Sequence, residues 1–271
     1  MISIDRLGKT FFDPDRGNVA AVSNLSLQCA PGSIYGLIGP NGAGKTTTLR
    51  IVATLLKPSE GAVRVGGHDV VEEPEQARRQ LGYLSTSTAT YDRMTPVEMV
   101  CHFGRLHGMD GKALEERVDE LFELLDMNRF RDQLIGQLST GMKQKVSFAR
   151  TIVHDPPVVV LDEPTSGLDI MVGRTVVDLV ASLRDRQRTV LLSTHIMSEV
   201  RRLCDRVGII HQGRLVAEGA PDDLAARFGH HDLDEIFFAA VRADEGASGD
   251  RDEPNEIEPT RTDNAPERNE Q

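Results

Sequence analysis

The apolar run SIYGLIG leads straight into GPNGAGKT at residues 39–46, and a helical pattern, TTTLRIVATLL, follows from Thr46. That succession of strand, glycine-rich loop and helix commits the chain to an α/β core built around the loop. The loop comprises Gly39, Pro40, Asn41, Gly42, Ala43, Gly44, Lys45 and Thr46, with Thr47 next in line. Glycines let successive backbone N–H groups turn inward on phosphate oxygens, and the following helix presents its positive end to the same point. Lys45 reaches the β and γ phosphates as a compact charge, and the Thr46 hydroxyl is a ligand for Mg²⁺. The chemistry this spacing predicts is binding of a nucleotide with its metal ion.

A phosphate loop needs a second acidic site for the metal. VVVLDE supplies one: a buried strand ending in Asp162 sets its carboxylate beside the loop's Mg²⁺. Glu163 is next, and strand alternation turns it away from Asp162 toward the attacking water, so it is the candidate general base. A DE pair without such a strand and loop would read more simply as a cap on the next element. His195 directly follows the apolar strand TVLLS. A lone histidine is more often structural, but an imidazole on the same sheet edge as Lys45 and Asp162 is placed to contact the γ phosphate.

Around these motifs, strands and helices alternate. Residues 2–37 carry alternating segments that read as paired strands, and residues 62–67 (AVRVGG) and 81–84 (LGYL) as further ones. Residues 97–108 and 112–127 instead show helical spacing, with Leu114, Val118, Leu121, Leu124 and Leu125 on one face. This helical insertion spans about residues 87–150. Helices are expected from Gly141, Ile170 and Ile196, interleaved with strands at 158–161 and 189–193. Such alternation predicts a mostly parallel sheet covered on both faces.

Composition removes several classes. No stretch approaches the ~18 apolar residues of a membrane span, and the N-terminus shows no signal-peptide pattern, so a cytosolic location is expected. Cys29, Cys101 and Cys204 are widely spaced in amphipathic contexts and read as buried thiols, without a disulfide framework. Of the net charge of −11, residues 244–271 carry −7, with ten acidic and three basic side chains. That segment has one aliphatic residue larger than Ala, Ile257, and reads as a disordered acidic tail. The remaining body is nearly balanced, which argues against general nucleic-acid binding.

The order of motifs resembles the ABC ATPase family across residues 1–230. GPNGAGKT is similar to its Walker A, VVVLDE to its Walker B and LSTGMKQK (residues 138–145) to its signature. SGLD, ending in Asp169, resembles the D-loop, and His195 the switch histidine. The resemblance implies a P-loop NTPase with an antiparallel β subdomain and a helical subdomain. It further implies ATP and Mg²⁺ as cofactors, and two cassettes, identical or different, sandwiching ATP head to tail. Ser139, Thr140 and Gly141 of one chain then meet the γ phosphate held by the other. Those residues also open a helix, so they are a natural anion-binding terminus and an ordinary N-cap at once. Phe11 lines up with the aromatic that stacks on adenine; its neighbour Phe12 competes, and a core role for either ring is the alternative.

Two departures stand out. Where the family has glutamine in a GYLPQ pattern, this chain reads GYLST, with Thr86 at that position; the signature reads LSTGM for LSGGQ. Phrases such as YDRMT, FGRLHG and THIMSEV resemble the ATPases of sodium-exporting (NatA-type) systems and, more broadly, multidrug and antibiotic exporters. DLDEIFFAAV resembles that group's C-terminal helix, placed at residues 231–243. The function this implies is an export ATPase driving a separate integral membrane permease from the inner face of the membrane. The rival is a soluble ABC ATPase acting on DNA or ribosomes, against which stand the single unsplit cassette and the acidic balance.

Overall fold

The computed structural model describes residues 1–85 and 90–249. The chain opens with a long hairpin, β1 (Ile2–Asp13) and β2 (Gly17–Cys29), paired antiparallel from Ile2 opposite Cys29 to Asp13 opposite Gly17. Asp13 closes its tip, its Oδ1 accepting from the N–H groups of Asp15 (2.9 Å) and Arg16 (3.0 Å). Strands β4 (Glu60–Val65) and β5 (His68–Asp69) complete an antiparallel sheet in the order β2-β1-β4-β5. Strand β4 stops at Val65, short of residue 67, because Gly66 and Gly67 both take positive φ and turn the chain into β5.

The second sheet has six strands. Besides β3 (Ile34–Ile38) these are β6 (Leu81–Leu84), β7 (Val158–Asp162), β8 (Thr189–Thr194), β9 (Arg206–His211) and β10 (Arg214–Gly219). Their order is β10-β9-β3-β8-β7-β6, parallel throughout except for β10. Every residue of β3, β7 and β8 is buried, as strands covered on both faces require. Alternation splits them between two cores. Ile34, Ile38, Val159, Leu161, Val190 and Leu192 point into the core beneath the helices. Tyr35, Leu37, Val158, Val160 and Leu191 point into the one shared with the antiparallel sheet and α1 (Lys45–Val52).

Between β6 and β7 lie α3 (Pro96–Leu106), α4 (Gly111–Leu124) and α5 (Thr140–Ile152). Helix α3 starts at a reciprocal cap: Thr95 Oγ1 accepts from Glu98 N, and Thr95 N donates to Glu98 Oε2. On α4, Leu114, Val118 and Leu121 are buried, whereas Leu124 is 41% exposed. Leu125, four residues after Leu121 and just past the helix end, occupies the core position that periodicity also offered to Leu124.

Helices α6 (Ile170–Asp185), α7 (Met197–Leu203), α8 (Pro221–Phe228) and α9 (Leu233–Gly249) finish the chain. Helix α9 runs beyond residue 243 into what composition assigns to the tail. Asp244 and Glu245 fall on it within 4.0 Å of Arg214 and 3.8 Å of His211, and these pairs tie its last turns to the β9–β10 hairpin. Residues 250–271 of the acidic segment lie outside the described residues. All three cysteines are free; Cys29 and Cys204 are buried, but Cys101 is half-buried on α3. Burial raises the Cys204 thiol to about 12.

Candidate functional site

Strands β3, β8 and β7 are neighbours in the sheet, so the loops leaving their C-terminal ends converge. In an open parallel sheet that edge is where ligands bind. The loop after β3 wraps the first turn of α1 because its glycines allow contacts that other residues would forbid. A Cβ on Gly39 would stand 2.2 Å from the Ile210 carbonyl oxygen; one on Gly44, at φ 105°, would stand 2.5 Å from that of Ala21. Residues 40–42 and 44–47, with Ala21 and Glu163, line a pocket of about 130 Å³. Gly39 and Ala43 sit behind it, buried in the packing of the loop.

Lys45 is 4% exposed, and its Nζ donates to the carbonyls of Gly39 (2.6 Å) and Pro40 (3.1 Å). Burial holds its pKa below the usual lysine value, and the carboxylates of Glu163 and Asp162 oppose that shift. Thr46 Oγ1 donates to Asp162 Oδ1 at 3.2 Å, so two hard oxygen ligands stand side by side, Thr46 lining the pocket and Asp162 buried outside its lining. Such a pair, completed by phosphate oxygens and water, suits Mg²⁺, which rarely takes an all-protein cage.

Glu163 arrives by a route that strand alternation does not describe. Strand β7 ends at Asp162, and Glu163 turns out of it in the left-handed region at φ 48°. Its carboxylate faces the pocket all the same. Oε1 stands 3.7 Å from Lys45 Nζ, and Oε2 stands 3.3 Å from Nδ1 of the half-exposed His195. The residue that organises this corner is Ser193, which the sequence reading passed over. Fully buried, it donates from Oγ to Asp162 Oδ1 at 2.7 Å. Its carbonyl (3.1 Å) and hydroxyl (3.0 Å) both accept the Glu163 N–H. The available signal was a polar residue at a position buried on both faces, two before His195.

The remaining candidates lie elsewhere. Ser139 and Thr140 are exposed at the start of α5, where Ser139 Oγ accepts from Met142 N at 3.3 Å. Asp169 caps α6, its Oδ1 accepting from Met171 and Val172 N at 3.0 Å each. These two helix starts touch, since Gly141 packs against Val172. None of the four lines that pocket. Phe11 and Phe12 are both exposed, at 41% and 77%, so neither ring is a core residue; both sit near the exposed tip of the hairpin. Phe11 pairs across the hairpin with Val19, two residues from the pocket-lining Ala21, and Lys9 Nζ stands 5.1 Å from its ring centre. Thr86 lies outside the described residues.

Comparison with known proteins places the chain as a whole. Residues 22–166 match the family described as ABC transporter. The ABC transporter ATP-binding protein NatA of Bacillus subtilis (strain 168) is 39% identical over 242 residues, covering 89% of this chain and 98% of its own. The daunorubicin resistance ATP-binding protein DrrA3 of Streptomyces coeruleorubidus is 38% identical over 83% of this chain and 71% of its own. Among solved structures, a dimeric ATP-binding cassette in a post-hydrolysis state, bound to ADP and Pi, superposes with a TM-score of 0.73. It is 26% identical, over 81% of this chain and 98% of that one.

Proposed function

The chain belongs to the ABC transporter family, and from that premise we propose that it hydrolyses MgATP as the motor subunit of an exporter, coupled to a separate membrane permease. The observation that carries the chemistry is the Glu163 carboxylate, held between Lys45 and His195 at the mouth of the phosphate pocket. In this reading Glu163 accepts a proton from water as its oxygen bonds to the γ phosphorus; the bond to the bridging oxygen breaks, leaving ADP and phosphate. Lys45 and the N–H groups of the loop meet the phosphate charge, and His195 hydrogen-bonds the γ phosphate. Thr46 and Asp162 are the residues that hold Mg²⁺, which when bound offsets charge on the phosphates.

Residues 139–141 complete the site of a second cassette. Their place on an exposed helix start outside their own chain's pocket supports this, as does the dimeric relative with ADP and Pi. Phe11 stacks on adenine in the same reading, a role its exposure permits. Thr86 takes the glutamine position, and its shorter side chain makes hydrolysis slower. In this reading residues 1–230 are the ATPase unit.

No helix among the described residues is long and apolar enough to cross a membrane. In this reading the permease is another chain, and this one sits against it at the inner membrane face. The sequence phrases that resemble sodium-exporting systems, and a daunorubicin resistance ATP-binding protein among the relatives, favour Na⁺ or drug efflux as the cargo class. Two measurements test the reading. The full chain, alone or with its permease, should hydrolyse MgATP, and failure even to bind it defeats the proposal. An integral membrane protein should co-purify with the chain; stable association with ribosomes or DNA and no membrane partner would favour the rival role.

A further inference from the structure

The left-handed backbone of Glu163 is disfavoured for a residue with a Cβ and persists where neighbours over-determine it. On the core side its N–H is held by Ser193. On the opposite side the next carbonyl, that of Pro164, accepts a 2.8 Å hydrogen bond from Nε2 of Gln144. Pro164 is buried and brings no N–H of its own, so its carbonyl is the polar handle this turn offers toward α5.

Gln144 stands in the second turn of α5, the helix whose first turn carries Thr140 and Gly141. That first turn is docked as well. A Cβ on Gly141 would lie 2.7 Å from Val172 Cγ2, and the Val172 N–H is in turn held by Asp169. Helix α5 thus meets the segment after Glu163 at two heights, through apolar contact at Gly141 and through one hydrogen bond at Gln144. Gln144 does not line the phosphate pocket.

We propose that Gln144 is a positioning residue for Glu163: its amide ties the Glu163-Pro164 turn to α5, so that the surface at residues 139–141 and the chain's own general base move as one body. A shift of α5 then withdraws or restores the base without touching the grip of the loop on phosphate. This rests on the reading of Glu163 as the base.

The test uses the full chain. Gln144→Leu keeps bulk and removes the donor, Gln144→Glu keeps shape and turns the donor into an acceptor, and Gln144→Lys restores a donor of similar reach. The Leu and Glu variants should lower kcat for MgATP about three- to tenfold, the worth of one hydrogen bond. Binding of a fluorescent ATP analogue should stay within about twofold of the parent, and the Lys variant should recover most of the lost kcat. Adding Gln144→Leu to Glu163→Gln should lower the residual rate no further, because the base it positions is already gone. Unchanged kcat in both the Leu and Glu variants overturns the proposal. So does an equal loss on the Glu163→Gln background, or a loss that comes with weakened ATP binding and a lower unfolding midpoint. A parent chain that binds ATP but never hydrolyses it would instead overturn the functional reading beneath.

Discussion

Nδ1 of His195 stands 3.3 Å from Oε2 of Glu163. The other oxygen of the same carboxylate faces the buried ammonium of Lys45 at 3.7 Å. One acidic side chain is thus shared by two cationic or polarisable groups, one from the start of α1 and one just past β8, and its negative charge is central to both contacts. Glu163→Gln keeps the shape of the side chain and removes that charge and its proton affinity. Hydrolysis should fall at least about 100-fold, the usual worth of a general base. ATP binding should persist, and size-exclusion chromatography in MgATP should show a dimer accumulating. Normal turnover by this variant would remove Glu163 from its role.

Lys45→Ala acts on binding instead. The side chain is buried at the base of the pocket, where charge-assisted contacts to phosphate are strong. Losing them should weaken nucleotide affinity by about 1.5–3 kcal/mol, roughly 10- to 150-fold. Titration with a fluorescent ATP analogue checks this. Unaltered affinity with depressed turnover would mean the lysine acts in the chemical step alone.

Ser193→Ala removes a hydroxyl that serves Asp162 and the Glu163 backbone together. Because the group is fully buried, the cost to folding should be about 1–3 kcal/mol, read from urea unfolding. The Mg²⁺ concentration giving half-maximal hydrolysis should rise as well, since Asp162 keeps one donor fewer to orient it. A variant as stable as the parent, with the same Mg²⁺ requirement, would show the bridge to be dispensable.

His154 predicts an acid-sensitive fold. Its ring stacks on that of His107 at 3.5 Å, its Nε2 lies 3.2 Å from the Leu81 carbonyl, and its Nδ1 is buried without a hydrogen-bond partner among the described residues. Burial, with smaller contributions from His107 and Arg117 and opposed by the Leu81 carbonyl and Asp155, lowers its pKa from 6.5 to about 4. Between those values the unfolded chain takes the proton first, so stability present above pH 6.5 is lost as the pH falls toward 4. The loss at about pH 5 should be about 2 kcal/mol. His154→Gln, which keeps a donor for Leu81, should flatten it in urea unfolding at neutral and acid pH. Burial also lowers His107, so a smaller slope should remain.

Much of this architecture was legible before any coordinates. The strand, loop and helix around residues 39–46, the apolar strands ending at Asp162 and before His195, and the helical run between them are all local patterns. Local patterns survive folding when nothing distant overrides them. The misses were where a distant partner decides. Leu124 and Leu125 offer the same helical face, and only packing into the core beneath the helices selects Leu125. Helix α9 continues past residue 243, where Asp244 and Glu245 find Arg214 and His211 on a hairpin about thirty residues upstream. Phe11 and Phe12 looked able to fill a core, yet the hairpin carries both out to its exposed end.

Chain order alone therefore specified the parts list: a glycine-rich loop, an acidic strand end, a carboxylate beside it and an imidazole one strand further on. It could do so because hydrophobic period and glycine placement constrain backbone conformation residue by residue. The backbone turn that aims Glu163, the hydroxyl of Ser193 beneath it and the reach of Gln144 to Pro164 were settled by folding alone. Each joins residues about twenty or more positions apart, and a one-dimensional spacing carries no record of which buried polar groups end up within hydrogen-bonding distance.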